Sequence, residues 1–177
     1  TRTHSDSVVI PKIFQMNKDL AWLFGFYIAE GNSSKNNVVF SFNYKTEMRY
    51  VRRIKSIMRR YFGIKKFTLS SNKITTGGQI IVSSTVLARF FRDSFGHGAL
   101  RKHFPKWISD NLKFSGDVLR GLWDGDGMIR LQILSTTSRT LAHQVKNLLA
   151  ANEIFSSIRI GSNRKRNPRH DINYSVK

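Results

Sequence analysis

LFGFYIAEG at residues 23–31 and LRGLWDGDG at residues 119–127 are two versions of one segment. At an offset of 96 (126 minus 30), Leu23 matches Leu119, Gly25 matches Gly121, Glu30 matches Asp126 and Gly31 matches Gly127. Helical spacing puts Leu23, Phe26 and Glu30 on one stripe, and Leu119, Leu122 and Asp126 on the other, so each stripe ends in a carboxylate. Gly25 with Ala29, and Gly121 with Gly125, place small residues one turn apart, where two helices can cross almost backbone to backbone. A glycine inside a helix costs roughly 1 kcal/mol against alanine, and close packing of one copy on the other would offset that cost. Gly31 and Gly127 are expected as left-handed C-caps. A carboxylate in the last helical turn opposes the helix dipole, and its appearance in both copies points to a positive partner.

With the acid in register in both, these copies resemble the two signature motifs of the LAGLIDADG homing endonucleases, in the class where one chain carries both. The resemblance spans nearly the whole chain. It implies a mixed α/β (α+β) fold of two pseudo-twofold-related αββαββ(α) halves, with antiparallel saddle-shaped sheets and a central two-helix interface. It also implies a monomeric, intron-encoded enzyme that cuts both strands of double-stranded DNA at a long asymmetric site. The cofactor it implies is Mg²⁺, with other divalent cations able to substitute. Hard carboxylate oxygens suit such a cation. Glu30 and Asp126 are therefore the expected catalytic residues and metal ligands, supported by the backbone carbonyls of Ala29 and Gly125. Asn43 and Lys45, with Gln132 as a looser counterpart, stand where the family keeps polar or basic groups near the active centre, either to position water or as a plain sheet surface that touches phosphate. The family's basic residue has no first-half candidate in VSSTVL, and Lys177 is the second-half candidate. Asp124, two residues before Asp126, lies off the stripe and reads as structural or as a support behind the metal ligands.

The 177 residues carry 30 Lys plus Arg against 11 Asp plus Glu, a net charge of +19, spread through both halves. That balance points to nucleic acid. No apolar run reaches transmembrane length, and the absence of cysteine excludes disulfides, thiolate zinc sites and cysteine nucleophiles. With no signal peptide evident, an intracellular location (cytoplasm or organelle matrix) is the expectation.

Along the chain, a first helix is expected from about Asp19, which can cap it, followed by NSSKNN as a loop or tight turn. VVFSFNYK reads as a strand with Val39, Ser41, Asn43 and Lys45 on its wet face. Val51, Ile54, Ile57, Met58 and Tyr61 mark an amphipathic helix stopped at Gly63, with Arg49, Arg52, Arg53, Lys55, Arg59 and Arg60 on its other side. KKFTLSSNKITTGGQIIVSS reads as a hairpin and residues 84–95 as a helix, giving α-β-β-α-β-β-α for residues 1–111 with their linker. Residues 112–177 repeat the plan in abbreviated form, with strand residues in MIRLQILSTT, a helix in SRTLAHQVKNLLAANEI and strands in FSSIRI and DINYSVK. Nothing up to Lys177 matches the helix at 84–95.

Lys65, Lys66, Asn72, Lys73, Gln79, Arg159, Arg164, Lys165, Arg166 and Arg169 lie on or between hairpin strands as DNA-binding candidates. Arg and Lys suit guanine edges, Asn and Gln suit adenine, and most basic residues bind only phosphate. The five histidines show no metal-ligand spacing. Two rival readings stand beside the nuclease. One is an RNA-binding intron maturase on the same fold, for which intron RNA is the partner. The other is a non-catalytic basic ribonucleoprotein component, which needs neither metal nor paired acids.

Overall fold

A computed structural model of the chain describes residues 11–71, 76–126, 134–162 and 172–177. Helix α1 (Lys18–Glu30) opens on Asn17, whose Oδ1 accepts the N–H groups of Asp19 and Leu20, both at 3.1 Å. The cap is thus Asn17 rather than Asp19. Both are capping residue types, and the carboxylate of Asp19 instead falls in the first turn, where the helix dipole favours it. Every residue from Leu20 to Ile28 is buried, so α1 is a central helix surrounded by protein.

Gly31 is not the left-handed cap expected of it. Its backbone is extended, with φ −88° and ψ 150°, and it begins strand β1 (Gly31–Ser33). What excludes a side chain is space, since a Cβ there would lie 2.1 Å from the Tyr27 ring. β1 pairs antiparallel with β2 (Asn37–Asn43), so the first residues of NSSKNN are strand rather than loop. On β2, Val38, Phe40 and Phe42 are buried, while Val39, Ser41 and Asn43 lie on the open face. Helix α2 (Met48–Phe62) ends at Gly63, which is left-handed at φ 64°. β3 (Thr68–Ser71) and β4 (Gly77–Ser83) form the hairpin, and α3 (Thr85–Phe95) packs Leu87, Ala88, Phe91 and Phe95 into the core. The sheet is antiparallel in the order β1-β2-β4-β3. The α-β-β-α-β-β-α order expected for the first half is present.

A short helix α4 (Lys106–Ser109) lies in the connecting segment. The second half comprises α5 (Ser115–Asp126), β5 (Leu134–Thr136), α6 (Arg139–Ala151), β6 (Ile158–Ser162) and β7 (Ile172–Val176), with an antiparallel sheet ordered β5-β7-β6. Gly127 lies outside the described residues. α3 has no counterpart among the described residues of this half. Ile64, just after α2, is 2% exposed, whereas Ile154, just after α6, is 51% exposed.

The two motif helices cross as their glycines predict. A Cβ on Gly25 would fall 1.9 Å from the Val118 carbonyl oxygen and 2.9 Å from the Leu122 nitrogen. One on Gly121 would fall 2.0 Å from the Trp22 carbonyl oxygen and 2.9 Å from the Phe26 nitrogen. Subtracting the offset of 96 turns Val118 into position 22 and Leu122 into position 26, so the contacts are reciprocal and the crossing has pseudo-twofold symmetry. One polar latch breaks that symmetry. Trp22 Nε1 donates to Asp124 Oδ2 at 2.7 Å and the Tyr50 hydroxyl donates to Asp124 Oδ1 at 3.1 Å, which gives Asp124 the structural part expected of it. The same offset relates Trp22 to Val118 and Asp124 to Ile28, so the mirror position has an apolar pair instead.

Candidate functional site

Glu30 and Asp126 are the last residues of α1 and α5. A methyl group on Gly125 would lie 2.4 Å from Ala29 Cβ and 3.1 Å from Glu30 Cγ. The helix ends therefore meet, and the two acids from distant parts of the chain sit beside one another. Glu30 is half-buried. Its pKa is raised to about 7, first by burial and then by the negative charges of Asp126 and Glu47, with Lys102 opposing. Asp126 retains exposed surface. Protein around its carboxyl raises its pKa to about 6 by desolvation, again with Lys102 opposing. Two carboxylates held together in a partly dry setting form a hard-oxygen pair that gains from a cation.

The positive partner anticipated for the acids is Lys102, which sequence reasoning missed. It lies in the segment between the halves and is only 8% exposed. Its Nζ donates to the carbonyls of Tyr27 at 2.8 Å, Ile28 at 2.9 Å and Gly31 at 2.5 Å, closing the C-terminus of α1 around Glu30. None of these bonds goes to Ala29. Nζ also stands 4.7 Å over the Tyr27 ring. From the other side, Ser138 Oγ, which caps α6, donates to the Lys102 carbonyl at 2.6 Å. Burial lowers the pKa of Lys102 to about 8, while Asp126 and Glu30 oppose that shift. A lysine beside His103 and Pro105 has no periodicity to mark it, and only the chain's path brings it under α1.

Lys102→Met should cost about 2–4 kcal/mol, because it leaves helix-end carbonyls unpaired and a carboxylate pair without its counter-charge. Urea denaturation measures this, and unchanged stability would show that Lys102 has no role in closing α1.

Beside Glu30 a groove of 570 Å³ runs over the open face of the first sheet, lined by Ser41, Asn43, Glu47, Ser70, Gln79 and their neighbours. Glu47 is the second residue that sequence reasoning missed. As a lone acid before α2 it carried no motif, yet its Oε2 accepts the Asn43 N–H at 2.6 Å. Asn43 ends β2, and its Nδ2 donates to Thr76 Oγ1 at 3.2 Å. Lys45 is exposed in the turn that follows, its N–H donating to Asn43 Oδ1 at 3.0 Å. Gln79 is exposed on the open face of β4. Lys65 and Lys66 are exposed beyond α2 rather than on a strand, and Arg159 is exposed on β6. Lys177 is not with the acids. Its backbone pairs with Ser157 at 2.8 and 3.0 Å, and it borders a different groove with Leu119, Trp123 and Phe155. Asn72, Lys73, Gln132, Arg164, Lys165, Arg166 and Arg169 lie outside the described residues. No cluster of three or more metal-ligating side chains occurs among the described residues, so a cation here would rest on the acid pair, backbone carbonyls and substrate oxygens. No helix among the described residues is long and apolar enough to cross a membrane.

Comparison with known proteins agrees with this geometry. Residues 114–176 match the family model of the LAGLIDADG-like domain. The chain is 30% identical over 182 residues to the ATP-dependent DNA helicase Hel308 of Thermococcus kodakarensis, covering 94% of this chain and 16% of that protein. It is also 30% identical to an uncharacterized protein of Methanocaldococcus jannaschii, covering 91% of this chain and 20% of that protein. The chain thus spans a fifth or less of the length of these curated relatives. Among solved structures, the homing endonuclease I-DmoI in complex with DNA and Mn superposes with a TM-score of 0.68 at 15% identity, covering 90% of this chain and 89% of that one. I-DmoI with DNA and Ca gives a TM-score of 0.67 at 16% identity, covering 90% of this chain and 81% of that one. With two reciprocal motif helices and the I-DmoI architecture over 90% of its length, the chain has the two-motif LAGLIDADG fold, and its residues 114–176 match the LAGLIDADG-like domain.

Proposed function

We propose that this chain is a site-specific, divalent-metal-dependent DNA endonuclease that acts as a monomer and cuts both strands of a long asymmetric site. The observation that carries the proposal is the meeting of Glu30 and Asp126 at the helix crossing, beside a polar groove on an open sheet face, in a chain of net charge +19. I-DmoI structures hold target DNA together with divalent cations. In this reading residues 1–111 and 112–177 each face one side of the site.

Glu30 and Asp126 hold the cation, one carboxylate serving each strand, with the Ala29 and Gly125 carbonyls beside them. A divalent cation, Mg²⁺ first among them, supplies the Lewis acidity that phosphodiester hydrolysis needs. Lys102 fixes the end of α1 and so the direction of the Glu30 carboxylate. Asn43, its backbone held by Glu47, orients water or phosphate at the edge of the groove. Gln79 presents an amide suited to adenine, while Lys45, Lys65, Lys66 and Arg159 neutralise phosphates.

Selection of cleaved products from a randomised duplex library with Mg²⁺ or Mn²⁺ tests this. The expected result is enrichment of one long non-palindromic site. The logarithm of affinity should fall with the logarithm of salt at roughly 0.9 per phosphate contacted. A library that stays uncut with both cations would reject the nuclease.

A further inference from the structure

The cleavage site leaves one strongly charged surface unused. Of the residues of α2 that are not buried, all but Met48, Ser56 and Tyr61 are basic: Arg49, Arg52, Arg53, Lys55, Arg59 and Arg60. The buried arc of α2 (Tyr50, Val51, Ile54, Ile57, Met58 and Phe62) packs into the core on the covered side of the sheet. The basic arc is therefore turned away from the open face. Like charges three and four residues apart destabilise a helix. Among the described residues the row has one ion pair, Arg53 with Asp19 at 3.4 Å. Aromatic faces take up four others: Arg49 stands 4.7 Å from the Tyr50 ring, Arg59 5.1 Å and Lys55 5.9 Å from the Phe67 ring, and Arg60 5.5 Å from that of Tyr61.

The duplicated half shows that the fold does not require this charge. In α6, Leu141, Ala142, Val145, Leu148 and Leu149 occupy the places of Tyr50, Val51, Ile54, Ile57 and Met58 at an offset of 91 (141 minus 50). At the same offset the six basic positions become Thr140, His143, Gln144, Lys146, Ala150 and Ala151. One cation stands where α2 has six, so a solvated helix face here is served without them.

We propose that the outer face of α2 is a second nucleic-acid surface, gripping the phosphodiester backbone of a segment other than the one against the open sheet face. At 1.5 Å per residue the helix spans about 22 Å, which matches about six phosphates along one strand. A lipid surface fits poorly, because the apolar arc that would enter it is already buried in the core. This surface stands whether or not the chain cuts DNA.

The test counts duplexes bound per chain, by native mass spectrometry and sedimentation, using a random-sequence DNA duplex of about 16 base pairs at about 50 mM salt. The wild-type chain should bind two and the R52Q/R59Q/R60Q variant one. Loss of three phosphate contacts lowers the salt slope of the second binding event by about 2.7, or about 40-fold less change in affinity between about 50 and 200 mM salt. An RNA hairpin competing for the second position identifies RNA as the source of the backbone, and failure to compete identifies DNA. K146Q on α6 should keep both duplexes. Glutamine is a good helix former, and circular dichroism verifies the fold. Should the triple variant unfold, R59Q and R60Q are measured singly, each lowering the slope by about 0.9. One duplex per wild-type chain, or an unchanged second event in the folded variants, would overturn the proposal. The count of bound duplexes reads no cleavage, so failure of the cleavage reading is told apart from failure of this one.

Discussion

Gly25→Ala and Gly121→Ala each destabilise the protein by about 2 kcal/mol or more, and valine at either position prevents the halves from closing. Alanine at an exposed helical position would stabilise by roughly 1 kcal/mol over glycine, so the sign is decided by the crossing. The new Cβ meets the backbone carbonyl of Val118 at 1.9 Å or that of Trp22 at 2.0 Å. Backbone cannot rotate away as a side chain can. Relief requires the helices to separate by roughly 1 Å, which loosens the contacts along the whole interface of a tightly packed interior. Because one separation relieves both clashes, the double variant should cost less than the sum of the single ones. Urea titration of the three variants measures this, and an alanine variant as stable as the wild-type chain would mean that the helices do not cross there.

Under the proposed function, Glu30→Gln and Asp126→Asn should each lower double-strand cleavage on the order of 10³-fold while leaving DNA affinity nearly unchanged. A cation's stabilisation of developing charge is worth several kcal/mol, and each 1.36 kcal/mol is tenfold in rate. Full double-strand cleavage by either variant would remove that acid from the chemistry. The same groups set a pH dependence of stability. Both carboxyls have raised pKa values in the folded protein, to about 7 for Glu30 and about 6 for Asp126. The folded state therefore binds protons that the unfolded chain releases at lower pH. Their contribution is fully present below the ordinary carboxylate range and is lost as pH rises through 6 and 7. In EDTA the melting temperature should fall between about pH 5 and pH 8, Mg²⁺ should restore it at the upper end, and the two amide variants should flatten the profile. A melting temperature that rises over this range in EDTA would contradict the assignment.

The legible parts of the chain were those in which local pattern and tertiary demand agree. Alternation on β2, the stripe of α2 and its stop at Gly63 follow from which side chains can face the core and which residue accepts a left-handed backbone. The misreadings fell where the residue type was right and the physical reason was different. Gly31 is required because the Tyr27 ring leaves no room, not for its φ. Lys177, the proposed basic residue of the second half, ends in a β-ladder with Ser157, while Lys102 lies beneath the acids. A pattern in sequence reports periodicity, and a lone lysine in a connecting segment has none.

The sequence by itself determined that two copies of one helix must pair through their glycines and end in acids. That follows because small residues one turn apart and a repeated wrong-end charge are each unfavourable unless the copies meet. Only the tertiary structure decided what closes the site. Lys102 reaches three carbonyls of α1 because the segment between the halves passes beneath that helix end, and Glu47 joins the groove because β2 turns directly into α2. Neither placement is encoded in local spacing, since each depends on where a distant part of the chain is held by the packed core.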